Sequence, residues 1–453
     1  RKIICIVIVL SSGQRFLLKK FWKYQKILKF VHKCSNLKNN TLIGKYPYHI
    51  PSNTDILGVG YHANSGLMLT TVGRIRPGVP STLNAFCVAD YEKGSSPHIW
   101  GFPDYNKNTL KAYYYDDNSA YYARNLSRKE GGYSPGYYYS YSDYDFSIIS
   151  VYHPNVDDQC NRLYVVDTGV LSYGVSELYN VQNPAIIVFD LPSNGCQTRH
   201  FPVIRRIEIP ISFWKNPVGF VFIAIDHQAK KSCDDVFLYI TNTFDSSLTV
   251  YDYKKGSFWT FSSPSMGPII AESKMVFNNY FHYEFILGIM NVALGWQDKK
   301  GNRNAYFAPG AGFAENVVST KVLKTSPKTS FKYNFEDFLQ IGYRGCKSQT
   351  FKQTFDLSTG VIFFAEMQSK QVQCWNTNLP LNPDTIGVVY ESEALAFVSE
   401  IFVDFDGYLW FHSCHLPLTF LSDIALDMTN FTPTTFRITV SEAIKGTVCD
   451  LYY

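Results

Sequence analysis

Charged residues are scarce in this chain, and so are the motifs that mark the common enzyme classes. Charged side chains make up 18% of the 453 residues and hydrophobic ones 46%, which excludes disordered and fibrous classes. The sequence lacks a G-x-S-x-G elbow, an H-E-x-x-H motif, a P-loop and a dinucleotide fingerprint following a strand. A globular protein is therefore expected, and the missing motifs favour a binding protein over an enzyme.

Metal-binding spacings are also missing. The ten cysteines contain no C-x-x-C pair and no zinc-finger spacing, so we expect disulfides and neither a metal nor a cofactor. The paired carboxylates Asp157-Asp158 and Asp234-Asp235 precede strands, where Asp caps turns through the backbone, so a structural role is expected for both pairs.

A strong charge of one sign is absent as well. The net charge is +4, and much of it comes from lysines between Lys19 and Lys38, so nucleic acid is not the expected partner. Residues 19–33 fit two interpretations, a basic amphipathic helix at a membrane surface or part of an N-terminal arm over residues 14–42. We favour the arm.

The apolar run from Ile3 to Leu10 is too short to span a bilayer. Basic residues precede it and small polar residues follow it, which is the order of a secretory signal peptide over residues 1–13; a buried strand is the alternative. Glycosylation sequons at Asn39, Asn125 and Asn430 agree with secretion. We therefore expect an extracellular protein without a membrane span.

Helix-favouring runs are scarce after the first forty residues, whereas one short β-unit recurs six times. In each unit an apolar strand, a polar turn and a second alternating strand follow one another, as in Ser399 to Ser413, where Asp406-Gly407 forms the turn. The second strands are predicted to begin near Leu67, Leu163, Phe237, Ala305, Ile362 and Leu409. Arranged radially, six such sheets bury each other's faces. The pattern predicts an all-β, six-bladed β-propeller over residues 43–453, with a two-sheet sandwich as the alternative.

One stretch breaks this rhythm. Residues 113–144 are rich in Tyr, Gly and Ser, and we interpret them as an inserted surface loop. Tyrosine supplies contact area at low entropic cost, so a recognition loop and an insertion without function are both compatible with the composition.

Several stretches carry a family resemblance. They include RIRPGVPSTL (Arg74 to Leu83), DDQCNRLYVVDTG (Asp157 to Gly169), QNPAIIVFDL (Gln182 to Leu191) and RGCKS (Arg344 to Ser348). On these stretches the chain resembles the yellow and major royal jelly proteins of insects, from about Ile43 to Tyr453. RGCKS is similar to the branch with the salivary yellow-related proteins of blood-feeding flies, which bind biogenic amines in the central channel.

The resemblance implies a secreted propeller that binds a small amine or aromatic ligand in its channel. Two alternatives stay open, because the family also includes proteins linked to dopachrome conversion and pigmentation, and nutritional proteins. The oligomeric state and the identity of the ligand stay open too.

The resemblance also assigns ligand positions. In the amine-binding relatives a small hydroxyl residue, an Asn and an aromatic residue hold the amine, and the matching positions here are Ser399, Cys414 and Leu416. Cys lacks the hydrogen-bonding capacity of an amide and Leu lacks a ring face, so weak or absent amine binding is expected. His412 and Cys414 share one strand face, but the sequence offers no third metal ligand beside them.

Disulfide pairings follow from the same resemblance. Cys87, Cys160, Cys233 and Cys346 lie in or beside the matching stretches. On that basis Cys87 is expected to pair with Cys160, and Cys233 with Cys346.

Overall fold

The computed structural model describes residues 26–29, 50–91, 96–110, 146–173, 177–228, 232–327, 335–422 and 433–451. Its strands form six four-stranded antiparallel sheets, which confirms the predicted six-bladed β-propeller. The second strands of the blades begin within one residue of the predicted positions, at Leu67, Arg162, Val236, Asn304, Val361 and Tyr408.

The blades follow one another along the chain. The strands of each blade are given in order from the innermost strand, at the channel, to the outermost. Blade 1 consists of β2 (Gly58–His62), β3 (Leu67–Thr71), β4 (Leu83–Cys87) and β5 (Trp100–Gly101); blade 2 of β6 (Asn155–Asp157), β7 (Arg162–Asp167), β10 (Ala185–Asp190) and β11 (Val203–Glu208); blade 3 of β12 (Phe220–His227), β13 (Val236–Asn242), β14 (Ser247–Asp252) and β15 (Ser257–Ser262). Blade 4 consists of β18 (Ile289–Leu294), β19 (Asn304–Pro309), β20 (Ala314–Ser319) and β21 (Leu339–Tyr343); blade 5 of β22 (Thr350–Phe355), β23 (Val361–Glu366), β24 (Gln371–Asn376) and β25 (Ile386–Glu391); blade 6 of β26 (Phe397–Val403), β27 (Tyr408–Cys414), β28 (Thr434–Thr439) and β1 (Lys26–Lys29).

The ring closes through both ends of the described chain. The first strand of each blade contacts the first strand of the next, and β26 contacts β2. The outermost strand of blade 6 is β1, which pairs antiparallel with β28. Part of the segment predicted to be an N-terminal arm is therefore a strand of the last blade, and for residues 26–29 the helical alternative is wrong.

Six apolar cores lie between neighbouring blades. Because successive side chains of a strand point to opposite faces of the sheet, one strand contributes to two of these cores. In β7, Leu163 and Val165 pack toward blade 1, whereas Tyr164 and Val166 pack toward blade 3. A strand buried on both faces reads as a continuous apolar run, which is the pattern on which the repeat was recognised.

Elements outside the blades are short. Two hairpins are formed by β8 (Val170–Tyr173) with β9 (Glu177–Asn180) and by β16 (Lys274–Phe277) with β17 (Phe281–Glu284). The helices are α1 (Tyr105–Asn108), α2 (Gly195–Thr198), α3 (Thr320–Leu323), α4 (Leu416–Leu421) and α5 (Val440–Ile444). No helix among the described residues is long and apolar enough to cross a membrane.

The predicted disulfide pairings are wrong. The structure joins Cys87 to Cys196, Cys160 to Cys233 and Cys374 to Cys449, with Cα separations of 5.7, 5.6 and 6.3 Å.

Axial position explains one error and distance from the channel the other, because Cys160 lies in the turn between the first two strands of blade 2, whereas Cys87 lies on a third strand. Cys233 follows the end of an inner strand, whereas Cys346 precedes the start of one, so the two lie at opposite ends of the propeller. Cys87 ends the third strand of blade 1 and lies beside α2 of blade 2, which carries Cys196. Cys346 is exposed and forms no disulfide with a described residue.

Several predictions lie outside the described residues. These are the signal peptide over residues 1–13, the Tyr-rich insertion over residues 113–144 and the sequons at Asn39, Asn125 and Asn430.

Candidate functional site

The central channel is filled at one end by apolar side chains from every blade. We call the end at which the inner strands begin the upper end, and the whole apolar core at this end, including the side chains that cover it, the upper cluster. Blades 1 to 6 contribute, in order, Leu57, Tyr152, Phe222, Met290, Phe351 and Phe397. All six are buried. Sites for small ligands are lined mainly by apolar and aromatic side chains, so we take this end of the channel as the candidate site.

The β16–β17 hairpin and α4 cover the upper cluster. The hairpin supplies Met275, Phe277 and Tyr283, and α4 supplies Leu416 and Leu418. All five are buried and belong to the upper cluster, so the cover and the blades share one apolar core.

Three ionisable side chains meet beside this cluster, and we call them the charged trio. Nδ1 of His153 donates to Oε2 of Glu400 at 2.9 Å, and Nζ of Lys352 donates to Oε1 of the same carboxylate. His153 precedes β6 in blade 2, Lys352 lies on β22 in blade 5, and Glu400 lies on β26 in blade 6. Blades 2 and 6 are not neighbours, so the contact between His153 and Glu400 crosses the wall of the channel past blade 1.

Burial and the interactions within the charged trio shift the pKa values of Glu400 and His153. Burial would raise the pKa of Glu400, but the charge of Lys352 and the hydrogen bond from His153 outweigh it and lower the pKa below its ordinary value. Burial lowers the pKa of His153, although the hydrogen bond to Glu400 and its charge act in the opposite direction. The trio therefore combines an ionised carboxylate, an ammonium group and a neutral imidazole.

Aromatic rings enclose the trio. The His153 ring stacks on Phe222 with centroids 4.0 Å apart and planes at 29°, and Nζ of Lys352 lies 5.0 Å from the centre of the same ring. Phe351 packs edge-on against Phe397 at 5.1 Å. The site thus offers flat apolar faces next to a small number of fixed polar groups.

The three ligand positions implied by the resemblance also lie at the upper end. The Ser399 hydroxyl donates to the carbonyl oxygen of Leu57 at 2.6 Å, so its proton is held by the backbone. Cys414 is fully buried; burial, and secondarily the charge of Asp55, raises the pKa of its thiol well above the ordinary value. Leu416 is the first residue of α4 and belongs to the upper cluster together with Cys414.

Comparison with known proteins identifies the family. A family model described as major royal jelly protein matches residues 149–449. The yellow-related salivary protein SP03 of Phlebotomus perniciosus is 31% identical over 401 residues, covering 88% of this chain and 88% of that protein. The chain belongs to the major royal jelly protein family. The resemblance noted in the sequence is therefore confirmed.

The names of two further relatives indicate different roles. The yellow-related salivary protein ASP4 of Phlebotomus orientalis is 35% identical over 306 residues, covering 67% of this chain and 74% of that protein. The L-dopachrome tautomerase yellow-f of Drosophila melanogaster is 29% identical over 388 residues, covering 85% of this chain and 80% of that protein. Family membership alone therefore does not choose between binding and catalysis.

The charged trio of this family member was not predicted from the sequence. A signal was present, because a single Glu interrupts the apolar strand FVSEIFV (Phe397–Val403) that the repeat places next to the channel. Lys352 similarly follows Phe351, the second residue of the inner strand of blade 5. A charged residue in a strand buried on both faces requires a partner, and that requirement points to a functional or structural cluster.

The ring of His412, which the sequence places on one strand face with Cys414, is held by two hydrogen bonds. Nδ1 of His412 pairs with the Thr435 hydroxyl at 2.8 Å, and Nε2 pairs with the carbonyl oxygen of Ile56 at 2.9 Å. Both ring nitrogens of His412 are thus engaged, and burial lowers its pKa to about 4. Asp157, Cys160 and His227 also lie close together, but Cys160 is held in its disulfide with Cys233.

A second buried polar cluster lies between blades 4 and 5. Arg344, from the RGCKS stretch, pairs with Glu315 at 2.7 Å and donates to three backbone carbonyl groups. Gln353 donates to Glu315 at 2.7 Å. Neither oxygen of Glu366 bonds to a described residue; burial raises its pKa to about 8, with the charge of Arg344 opposing. The RGCKS arginine thus has a structural role.

Proposed function

We propose that this protein binds a small molecule with an aromatic ring at the upper end of its central channel. The observation that carries the proposal is the charged trio set against the ring faces of Phe222 and Phe351. Buried flat faces favour an aromatic ligand, and the few polar groups fix its orientation.

Ligand titration tests this proposal. Calorimetry with serotonin, dopamine, octopamine, histamine and ring compounds of other charge should find at least one ligand. Phe222→Ala should weaken its binding, because the ring on which His153 stacks is removed. Phe405→Ala is a matched control, since Phe405 is 74% exposed in the lower-end turn of blade 6. Equal binding by both variants would refute the proposed position.

We also propose that the protein is secreted. The three disulfides and the salivary relatives support an oxidising, extracellular destination. Expression of the full open reading frame in insect cells should deliver it to the medium. A glycan-removing enzyme should then reduce its apparent mass, and loss of that shift in a variant lacking Asn39, Asn125 and Asn430 would identify the sites.

A second candidate function is proton transfer on a catechol-derived quinone. It is favoured by the arrangement of the charged trio, because Glu400 fixes Nδ1 of His153 as a donor and leaves Nε2 as the basic nitrogen. A tautomerase moves a proton from carbon to oxygen without net oxidation, for which a base and a nearby ammonium group suffice. Dopachrome decay should be accelerated by the protein and slowed by His153→Gln; decay unchanged by the protein would exclude this candidate.

A further inference from the structure

The charged trio presents its two charges unequally to the channel. The carboxylate of Glu400 is fully enclosed: Oε2 accepts from His153, and Oε1 accepts from Lys352 and from the backbone N–H of Ile401 at 3.1 Å. The side chain of Glu400 is 0% exposed. Three of its roughly four acceptor sites are therefore occupied.

Lys352 is in the opposite position. An ammonium group has three donors, and among the residues that the structure describes Nζ of Lys352 donates to Glu400 alone. Its remaining contact is with the face of Phe222. The side chain of Lys352 is 11% exposed, whereas that of Glu400 is 0% exposed. Beyond these contacts the trio therefore offers two donors on the charged Lys352 ammonium group and one neutral acceptor, Nε2 of His153, so its only accessible charge is positive.

The other polar groups at the upper end add little attraction for a cation. The proton of Ser399 is held by Leu57, and the Tyr283 hydroxyl, buried in the upper cluster, has no hydrogen-bond partner among the described residues and can donate or accept without carrying a charge. Two buried carboxyl groups are the exceptions, because Oδ1 of Asp55 and both oxygens of Glu366 are without a described partner; burial raises the pKa of Glu366 to about 8, so it is largely uncharged at neutral pH. Oδ2 of Asp55 accepts from the backbone N–H of His415 at 2.8 Å.

Asp55 is a weak competitor for an ammonium group. Burial raises its pKa to about 7, with the hydrogen bonds from His415 and Thr419 opposing, so part of the population is uncharged near neutral pH. An amine at Glu400 would have to displace Lys352 or lie beside it, and like charges in a dry site repel strongly.

We propose that Lys352 selects small aromatic carboxylates over aromatic amines at this site. The carboxylate of the ligand accepts hydrogen bonds from the two remaining Nζ donors, and its ring lies against the aromatic faces of the upper cluster. This inference rests on the proposed function and narrows it to one class of ligand.

Matched ligands of opposite charge test the inference. Phenylpropionate and phenethylamine share a ring and a two-carbon arm, indolepropionate and tryptamine form a second such pair, and phenethyl alcohol is the neutral reference. Calorimetry should find each acid binding about tenfold or more tighter than the amine with the same ring.

Two variants assign the effect to the lysine. Lys352→Met leaves Glu400 without its cation and should destabilise the fold, so Lys352→Met with Glu400→Gln removes both charges together. The double variant should lose about tenfold in affinity for the acids and keep its affinity for phenethyl alcohol. Lys370→Met is the control, since Lys370 pairs with Glu393 at the surface, where the glutamate side chain is 88% exposed.

The outcomes separate the two proposals. Amines that bind as tightly as the acids overturn the inference and leave the proposed function intact. Acids whose affinity is unchanged in the double variant also overturn it. If no ring compound binds, including the neutral one, the proposed function fails and the inference fails with it.

Discussion

Nδ1 of His153 lies 2.9 Å from Oε2 of Glu400, although 247 positions separate the two residues in the sequence. The contact bridges blades 2 and 6, and the inner strand of blade 1 passes beside it. Gly58 begins that strand, and a Cβ added there would lie 2.9 Å from Nδ1 of His153 and 2.7 Å from the carbonyl oxygen of Tyr152. The bridge therefore depends on a residue without a side chain.

Gly58→Ala should destabilise the protein and disturb the charged trio. The new methyl group meets backbone on one side and His153 on the other, and overpacking of this kind costs about 1–3 kcal/mol. Urea unfolding measures the loss. Gly267→Ala is the control, because its added Cβ would meet nothing nearer than 3.4 Å. Equal stabilities of the two variants would contradict the packing argument.

Glu400→Gln should be more destabilising than its small change in size implies. The substitution leaves Lys352 buried without an anion, and breaking a buried pair by removing one partner costs about 3 kcal/mol or more. Glu393→Gln should cost less than about 1 kcal/mol, because it breaks a surface pair with Lys370. Chemical unfolding at neutral pH compares the two, and similar losses would show that the trio is not a buried ionic unit.

Glu366 should make stability fall as pH rises. Its pKa is raised from the ordinary value of 4.5 to about 8, so between these values the folded state holds a proton that the unfolded state has lost. Each such proton lowers the free energy of unfolding by about 1.4 kcal/mol per pH unit. Glu366→Gln removes this dependence.

Melting temperatures at pH values on both sides of this window check the effect. The gain of Glu366→Gln over the unsubstituted protein should grow from mildly acidic to alkaline pH. Glu391→Gln is the control, since Glu391 is exposed on the outer strand of the same blade. A constant difference across the pH range would show that Glu366 is already ionised in the folded state.

Features that depend on residues close together in the sequence could be predicted, whereas features that depend on residues far apart in the sequence could not. The strand starts follow from local alternation, and the hairpin at Asp406-Gly407 follows from one residue, because Gly407 has a φ of +79°. The Asp404 carboxylate then accepts from the N–H groups of Asp406 and Tyr408. These features involve neighbours in sequence.

Long-range pairings were not predictable in the same way. The charged trio joins residues from blades 2, 5 and 6, and their proximity depends on closure of the ring, which no periodicity encodes. The disulfide predictions failed for a related reason, because the resemblance identified stretches of sequence but neither the end of the propeller nor the distance from the channel at which each cysteine lies. Cys196 lies outside all of those stretches, and α2 brings it to Cys87.

Peptide mapping without reduction should recover the pairs Cys87 with Cys196, Cys160 with Cys233, and Cys374 with Cys449. Replacing both Cys374 and Cys449 by Ala should lower stability by about 4 kcal/mol, because their bond closes a loop of 75 residues in the unfolded chain. Cys346→Ser should leave these three pairs unchanged. A peptide linking Cys87 to Cys160 would show instead that the pairing first expected is correct.

Serotonin should bind this protein weakly or not at all, and the reason lies at Cys414 and Leu416. Both positions are at the upper end of the channel, but a buried thiol and an aliphatic chain offer an ammonium group neither an amide nor a ring face. Cys414→Asn with Leu416→Phe should therefore raise the affinity for serotonin by about tenfold or more, measured by calorimetry. Leu357→Phe is the matched control, since Leu357 is 56% exposed in the lower-end turn of blade 5. Because Phe is larger than Leu in a packed cluster, Cys414→Asn alone is measured beside the double variant, and it should produce part of the gain. Micromolar binding of serotonin to the unsubstituted protein, unaffected by the double substitution, would show that these positions do not control the ligand.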